Sequence, residues 1–321
     1  MMDPTVPGKI PHESGVDRAL DGALFDVPYH VLGYEWREDG PVLTLLPLAM
    51  EGSGLVPDGR HFEIRPVKWR EVEFRISRSR HCTGRFEGGE YIPCPLSEEV
   101  TLFSQCPSCM SHDIPDPDCI FEPHCNTGSC GASFCRKEHV VYITSFRGHH
   151  KVGMTQLERY LTRGREQGAD IILPLFVLKD RYSARFMEKE VSRTLKIPQS
   201  VRSGVKLRSW SGPLRMSEQR RLLESLKERV VSRWKDIVGG MPPSVNIGKG
   251  PEGTDIPPAE LDYPLEEPLS SPPMRYRKNV LRGEVMGFKG SYMIFRSGGL
   301  RAFRMGELPG SVLYFRDRLE S

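Results

Sequence analysis

The sequence predicts an α+β protein assembled from small modules, and three observations lead to that prediction. Short strand patterns separated by turn signals fill both ends of the chain. All eight cysteines fall between Cys82 and Cys135. Residues 139–190 follow, with the pattern of a tight β-hairpin, a helix, a buried strand and a second helix. An apolar fraction of 38% is typical of such modules joined by loops.

Residues 1–80 are predicted to form an N-terminal antiparallel β module. Turn signals such as Asp39-Gly40 and Asp58-Gly59 separate its strands. The predicted strands are residues 29–36, 42–47, 62–67 and 71–76. The last of them alternates between charged and apolar side chains, so one face should be buried and the other exposed.

Residues 81–138 are predicted to be a zinc-binding module. No signal peptide pattern opens the chain, so its cysteines favour metal binding over disulfides. Cys106-Pro-Ser-Cys109 has the spacing that lets two thiolates reach one tetrahedral ion. The predicted ligand sets are Cys82, Cys94, Cys106 and Cys109, and Cys119, Cys125, Cys130 and Cys135, with His124 as a substitute in the second. One or two structural zinc ions are expected, with a redox dithiol or an iron–sulfur cluster as alternatives.

Residues 139–240 are predicted to be an α/β unit followed by an amphipathic helix. Residues 139–145 and 151–153 form the hairpin strands around a turn. Thr155 is predicted to start a helix, with Glu158 completing a capping box. Residues 170–178 form an apolar strand, and Asp180 caps the next helix. Residues 217–238 carry an apolar stripe at helical spacing.

The C-terminal part is predicted to be a linker and a small barrel. Residues 241–275 are rich in proline, which favours a linker or an extended wrap over the surface. Residues 276–321 contain four or five short strands broken by glycines, a pattern typical of a small β-barrel. Its aromatic and basic residues are either a small core or a nucleic-acid surface.

The distribution of charge favours a polyanionic partner. Residues 60–86 hold eight Lys and Arg against three acids, and residues 275–304 hold eight against one, although the net charge is only +3. Two basic surfaces of this kind suit DNA or RNA, and solvated strand faces are the alternative. Without a signal peptide pattern or an apolar run of membrane-spanning length, a soluble cytoplasmic protein with no membrane partner is expected.

Three polar residues of the α/β unit form a candidate catalytic set. An arginine such as Arg163 can hold a phosphate oxygen. Glu188 can ligate one Mg²⁺ or Mn²⁺ ion, and Tyr142 can orient or deprotonate an attacking water. Together they could hydrolyse a phosphodiester.

These residues carry two family resemblances. Val140-Val-Tyr-Ile, Lys151-Val-Gly153, Arg163 and Glu188 resemble the GIY-YIG nuclease module, whose two tripeptides lie on adjacent strands of a hairpin. The chain from about His81 to Val191 is also similar to the domain of unknown function family 2797. The shared motifs are the cysteine array, Phe134-Cys135 with His139 to Tyr142, Lys151 to Thr155, and Thr162-Arg163 with Gln167-Gly168-Ala169.

The resemblance to the nuclease module implies an active site, with departures in both tripeptides. Val140 and Val141 stand where the first tripeptide has Gly and Ile. Tyr142 and Glu188 match by position, and Arg163 matches with Arg159 as its competitor. Lys151 stands where the second tripeptide has its tyrosine, so Lys151 and Arg159 are expected to contact phosphate. Three functions therefore stay open: a metal-dependent endonuclease, a non-catalytic nucleic-acid-binding protein, and a protein–protein adaptor built on zinc modules.

Overall fold

The computed structural model describes most of the chain and divides it into two compact units. The described residues are 8–11, 27–111, 119, 122–123, 132–213, 215–239, 241–242, 244–245, 247–251 and 253–316. Unit 1 comprises Met1–His112 and Arg275–Ser321, and unit 2 comprises Asp113–Met274. The described part is a mixed α+β fold with several sheets, in which strands outnumber helices.

The strands and helices are numbered in chain order. The strands are β1 (Ile10–Pro11), β2 (Val27–Arg37), β3 (Gly40–Glu51), β4 (Gly54–Pro57), β5 (Phe62–Ile64), β6 (Glu71–Arg80), β7 (Arg85–Glu87), β8 (Glu90–Ile92), β9 (His139–Phe146), β10 (His149–Gln156), β11 (Ile171–Leu178), β12 (Ile247–Lys249), β13 (Ala259–Glu260), β14 (Met274–Arg275), β15 (Val280–Lys289), β16 (Tyr292–Arg296), β17 (Leu300–Arg304) and β18 (Ser311–Phe315). The helices are α1 (Pro107–Met110), α2 (Ser133–Arg136), α3 (Tyr160–Gln167), α4 (Arg181–Leu195), α5 (Ser203–Ser209), α6 (Met216–Ser232) and α7 (Trp234–Val238).

Unit 1 is built on one large sheet that combines strands from both ends of the chain. Its order is β1-β4-β3-β2-β18-β6-β15-β16-β17-β14, with β5 paired to β3. Strand β18 lies between β2 and β6, where Leu313 pairs with Tyr29 on one side and Ile76 on the other. All three of these side chains are buried.

The predicted C-terminal barrel is not found among the described residues. The glycine-broken strands β15 to β18 exist as expected, but β15 and β18 pair with β6. The sheet path therefore stays open. The backbone groups of these strands are satisfied by the N-terminal strands, so the C-terminal segment does not need to close on itself. The division of the sequence into five segments, residues 1–80, 81–138, 139–240, 241–275 and 276–321, stays a prediction.

Unit 2 is organised around a sheet of the order β10-β9-β11-β12, with β13 also paired to β11. Strands β9 and β10 form the predicted hairpin, turning at Arg147 and Gly148, whose φ angles are 52° and 85°. Two left-handed residues in sequence are the geometry of a two-residue type I′ turn, which matches the twist of the strands. The predicted strand at 170–178 is confirmed as β11, and it pairs with β9.

The predicted helix start at Thr155 is wrong, and the strand pairing gives the reason. Thr155 pairs with Val140 and Gln156 pairs with His139, so β10 continues through both residues. A 3₁₀ turn at Leu157–Arg159 follows, and α3 begins only at Tyr160. Ladder hydrogen bonds across the hairpin win over the local capping pattern.

Two other helix predictions have different outcomes. Asp180 caps α4 as predicted, since its Oδ1 accepts a hydrogen bond of 2.7 Å from the backbone N–H of Ser183. The single helix predicted over 217–238 is divided into α6 and α7 at Arg233, whose backbone is not helical. Trp234 therefore starts a separate turn, and its ring stacks on Phe176.

Helices cover both faces of the central strands of unit 2. On one face, Val141 and Ile143 of β9 pack with residues of α4 and α6, such as Val191 and Leu223. On the other, Tyr142 packs with Tyr160 of α3 in a second apolar cluster. Neighbouring residues of β9 thus face opposite layers, as the alternation along a strand requires. Within the part of the chain that the structure describes, no helix has the length and apolar character needed to cross a membrane.

Candidate functional site

Unit 1 contains a cluster of four buried cysteines, Cys82, Cys94, Cys106 and Cys109. Cys82 follows strand β6 and Cys94 follows the β7–β8 hairpin. Cys106 precedes α1, whose short turn returns Cys109 towards it. The four Sγ atoms lie within 4.8 Å of one another. The first predicted ligand set is therefore brought together, and we call it the four-cysteine cluster.

The four-cysteine cluster fits a tetrahedral zinc ion. Zinc–sulfur bonds of about 2.3 Å place tetrahedral sulfurs about 3.8 Å apart. The Sγ atoms of Cys94 and Cys106 are 3.9 Å apart. The hydrogen bond between Cys82 and Cys94 lowers the pKa of Cys94 and raises that of Cys82, so Cys94 is the thiol of this pair that ionises first. A closed set of four buried thiols suits a structural metal and leaves no open position for a substrate.

The second predicted zinc site falls largely outside the described residues. Cys125, Cys130 and His124 all lie there. Cys119 is buried, and its carbonyl accepts a hydrogen bond from Nη1 of Arg181 in α4. Cys135 lies in α2 and is half-buried. A second metal site made with Cys119 and Cys135 stays a prediction.

The side chain of Tyr142, a residue of β9, lies across β10, the outer strand of the unit 2 sheet. Tyr142 pairs with Gly153 of β10. A Cβ atom built on Gly153 would lie 2.8 Å from the Tyr142 hydroxyl oxygen and 2.9 Å from its Cζ. The phenol ring therefore lies flat over the Gly153 backbone, in space that any other side chain would fill. Its hydroxyl is thereby directed towards the β10 edge of the sheet.

Lys151 and Arg163 lie near this hydroxyl. Lys151 is two residues before Gly153, on the same face of β10, and is a diagonal neighbour of Tyr142. Arg163 of α3 interacts electrostatically with both Tyr142 and Lys151. Its side chain is 44% exposed, so a ligand can reach it.

Glu188 of α4 joins the same group. It interacts electrostatically with Tyr142 and with Lys151. Tyr142, Lys151, Arg163 and Glu188 therefore form one set of interacting groups, which we call the strand-edge cluster. Its members come from β9, β10, α3 and α4, so it exists only in the folded unit.

The Tyr142 hydroxyl is held within the protein. Tyr142 has no exposed surface, and its hydroxyl accepts a hydrogen bond of 2.9 Å from Nε2 of Gln167. Burial raises the pKa of Tyr142 to about 12, against the opposing effects of Arg163 and Gln167. The phenol is accordingly neutral at physiological pH and can act as a hydrogen-bond donor or as an orienting group.

Glu188 is held by an ion pair. Its Oε2 accepts a hydrogen bond of 2.7 Å from Nη1 of Arg185, one turn earlier on α4. The same nitrogen donates to Oε1 of Gln199 at 2.8 Å. Glu122 lies 3.2 Å from Nε of Arg185. Burial raises the pKa of Glu188, and the bond from Arg185 opposes that change.

Arg159 and Arg163 share one ion-pair partner beside the strand-edge cluster. Both arginines pair with Glu166, Arg159 at 2.6 Å and Arg163 at 2.9 Å. Arg163 also acts electrostatically on Tyr142 and Lys151. Both arginines are exposed, and the preference for Arg163 over Arg159 as a site residue stays a prediction.

Sequence reasoning gave no role in the site to four residues that shape the strand-edge cluster, although Gly153 and Gln167 lie within the matched motifs. They are Gly153, Gln167, Arg185 and Gln199. Gln167 lies one helical turn after Arg163, and Arg185 lies three residues before Glu188, so both could have been found as neighbours on the same helix face. No pattern pointed to Gln199, which lies in a loop after α4.

Comparison with known proteins gives one match. A family model described as protein of unknown function (DUF2797) matches residues 70–308. The matched region contains both the four-cysteine cluster and the strand-edge cluster. No curated protein and no solved structure matches the chain.

Proposed function

The chain belongs to the DUF2797 family, and we propose that it hydrolyses phosphodiester bonds of DNA or RNA at the strand-edge cluster. The observation that carries the proposal is that Arg163 and Glu188, from two separate helices, both act electrostatically on Tyr142 of β9. A phenol, a guanidinium and a carboxylate are groups that can position and cleave a phosphodiester. The β9–β10 hairpin carries Tyr142 and Lys151 on adjacent strands, which supports the resemblance to the GIY-YIG module.

Each member would have a distinct task. Arg163, which is exposed, would hold a phosphate oxygen, with Arg159 contacting a neighbouring phosphate at the rim. The neutral Tyr142 would orient the attacking water once Gln167 gives up its hydrogen bond. Lys151 would contact the scissile phosphodiester from the strand edge.

Glu188 would hold the single Mg²⁺ or Mn²⁺ ion that this chemistry uses. The bond from Arg185 goes to Oε2 of Glu188, which leaves Oε1 to face a cation. Mg²⁺ commonly takes one or two carboxylates and keeps several waters, so one carboxylate is sufficient. When bound, the ion would stabilise negative charge on the phosphoryl oxygens. In unit 1, zinc at the four-cysteine cluster would have a purely structural task.

A second function, nucleic-acid binding without catalysis, is favoured by one observation. Glu188 is already paired with Arg185, and the Tyr142 hydroxyl is already bonded to Gln167. If these bonds persist, Arg163 and Lys151 remain as a cationic surface for phosphate. A protein–protein adaptor stays a prediction without a specific observation in its favour.

Purified full-length protein, labelled single- and double-stranded DNA and RNA, and Mg²⁺ or Mn²⁺ would test the two functions. We expect cleavage by the wild type and at least a ~100-fold loss in Glu188→Gln, because the carboxylate is required in the transition state. Glu190→Gln is the matched control, since Glu190 lies on the same helix and pairs with Arg193. Cleavage by Glu188→Gln at the wild-type rate would exclude the proposed site.

The binding alternative gives a different result in the same experiment. It predicts no cleavage by any variant and an affinity that falls steeply with salt. Arg163→Ala would then weaken binding, whereas Arg193→Ala, which removes a cation 66% exposed on α4, would not. Absence of both cleavage and binding would contradict both functions.

A further inference from the structure

Lys151 lies at the edge of the unit 2 sheet. It belongs to β10, the outermost strand of its sheet, and is half-buried. The nearest polar partner of its Nζ is the carbonyl of Gln199, at 3.5 Å. Within the described residues, no carboxylate forms an ion pair with Lys151 at 4.0 Å or less. Most lysines that lose water in this way are paired, because burying an unpaired ammonium is costly.

The neighbouring groups further disfavour a positive charge on this amine. Arg163 of α3 faces Lys151 with a like charge, and the phenol of Tyr142 on β9 is neutral. Glu188 of α4 acts on Lys151 with the opposite sign, but its carboxylate is bonded to Arg185. Burial and the charge of Arg163 outweigh Glu188 and lower the pKa of Lys151 to about 8. A useful fraction of the amine is therefore neutral near physiological pH.

We propose that Lys151 is the general base of the strand-edge cluster, which removes the proton from the attacking water. The inference rests on the proposed function and deepens it. Lys151 would act as a proton acceptor at the scissile phosphodiester, and not only as a cation that binds it. The geometry that supports it is the position of the amine beside Tyr142 and Arg163, on the face of β10 where a bound phosphodiester would lie. A lysine without a carboxylate partner is free to lose and regain its proton.

The step balances with water as the only co-reactant. The lone pair of Lys151 Nζ takes one proton from water and becomes an ammonium. The water oxygen forms a bond to phosphorus, and the bond from phosphorus to the leaving sugar oxygen breaks. The electron pair of that bond stays on the leaving oxygen, which takes a proton from solvent. Lys151 then returns its extra proton to solvent and is ready for another cycle.

The protonation state of the amine can be measured without activity. Trace acetylation of the intact protein across pH 6–11, read by mass spectrometry, gives the titration of each lysine. We expect Lys151 to become reactive near pH 8, whereas ordinary lysines titrate near 10.4. Lys235, exposed on α7, serves as the reference in the same sample. If Lys151 titrates together with Lys235, the proposal is overturned.

Substitution separates a base from a phosphate-binding cation. Lys151→Arg keeps the positive charge and the hydrogen-bond donors but cannot lose a proton at these pH values. We expect it to bind nucleic acid as the wild type does, to lower kcat at least ~100-fold, and to remove the rise of the rate through pH 8. Lys235→Arg is the matched control and should keep the wild-type profile.

The outcomes distinguish this inference from the proposed function. If Lys151→Arg cleaves at the wild-type rate while Glu188→Gln is inactive, the cluster is catalytic and Lys151 is only a cation. If the wild type cleaves no DNA or RNA, the proposed function and the base both fail. Recovery of Lys151→Ala by added alkylamine, absent for Glu188→Gln, would support proton transfer at this position.

Discussion

Gly153 lies directly beneath the phenol ring of Tyr142, with the two residues paired across the β9–β10 hairpin. This contact directs the Tyr142 hydroxyl to the sheet edge, where Arg163 and Glu188 act on it. A side chain at position 153 would displace the ring from the strand. The candidate site of unit 2 thus depends on the absence of one Cβ atom.

Gly153→Ala should therefore destabilise the protein and displace Tyr142. The new Cβ would lie 2.8 Å from the Tyr142 hydroxyl oxygen, which is closer than van der Waals contact allows. We expect a loss of about 1–3 kcal/mol in the free energy of unfolding, measured in urea. Gly250→Ala is the control, because a Cβ there meets no atom within 4 Å. Equal stabilities for both variants would show that the ring does not need this space.

Some strands of the fold could be predicted from the sequence, whereas the pairing between distant segments could not. β9 and β11 could be predicted because their apolar, β-branched runs require burial on both faces. The end of β10 could not, because Thr155 and Glu158 form a local helix-start pattern. Strand pairing with Val140, which no local pattern encodes, overrides it. The place of β18 between β2 and β6 is likewise set by pairing between distant segments.

The candidate site residues could also be predicted only in part from the sequence. The four-cysteine cluster follows from ligand type and spacing, which constrain a tetrahedral site strongly. Tyr142, Arg163 and Glu188 were selected from their chemistry and their order along the chain, and the family resemblance then supported that choice. Arg185 lies three residues before Glu188 on the same helix and could have been found from that spacing. Gln199 could not, because it lies in the loop after this helix, at no spacing that a helix pattern would reveal.

Arg185→Met should destabilise the protein much more than Arg193→Met. Arg185 and Arg193 each pair with a glutamate three residues earlier or later on α4, but Glu188 is buried, at 6% exposure. Losing Arg185 leaves a buried carboxylate without its partner and should cost about 1–3 kcal/mol. Losing the exposed Arg193 should cost about 0–1 kcal/mol. Urea unfolding of both variants measures the difference.

The pH dependence of Arg185→Met has a defined sign. Burial already raises the pKa of Glu188, and removal of Arg185 raises it further. A carboxyl with a raised folded-state pKa favours the folded state at low pH and loses that contribution as the pH rises through the folded value. The deficit of Arg185→Met relative to the wild type should therefore be larger at pH 7 than at pH 4. A deficit that grows on acidification would contradict the ion pair.

Cys106→Ser should remove zinc from the four-cysteine cluster. A hydroxyl replaces one of four thiolates whose Sγ atoms lie within 4.8 Å of one another, and zinc-bound folds lose stability with their metal. We expect the zinc content to fall by one equivalent per chain and the Tm to fall with it, measured by colorimetric metal assay and calorimetry. Ser108→Ala, in the same knuckle between Cys106 and Cys109, should keep both.

The wild-type metal content separates the two predicted stoichiometries. Two equivalents in the wild type and one in Cys106→Ser would indicate a second site that includes Cys119 and Cys135. One equivalent in the wild type and none in Cys106→Ser would limit zinc to the four-cysteine cluster. An unchanged zinc content in Cys106→Ser would show that the cluster does not bind the metal.

Lys151→Met should stabilise the protein at neutral pH, in contrast to the other substitutions. The pKa of Lys151 is lowered from 10.5 to about 8, so between those values the unfolded chain binds more protons than the folded one. Stability contributed through Lys151 therefore rises with pH across this window, and the charged amine costs stability below pH 8. Removing it should add about 1–3 kcal/mol at pH 7, and the gain should shrink towards pH 10.

Lys235→Met, at an exposed position on α7, should show no such pH dependence. Urea unfolding at pH 7 and pH 10 measures both variants, and a gain that is the same at the two pH values would mean that burial of charge is not its cause.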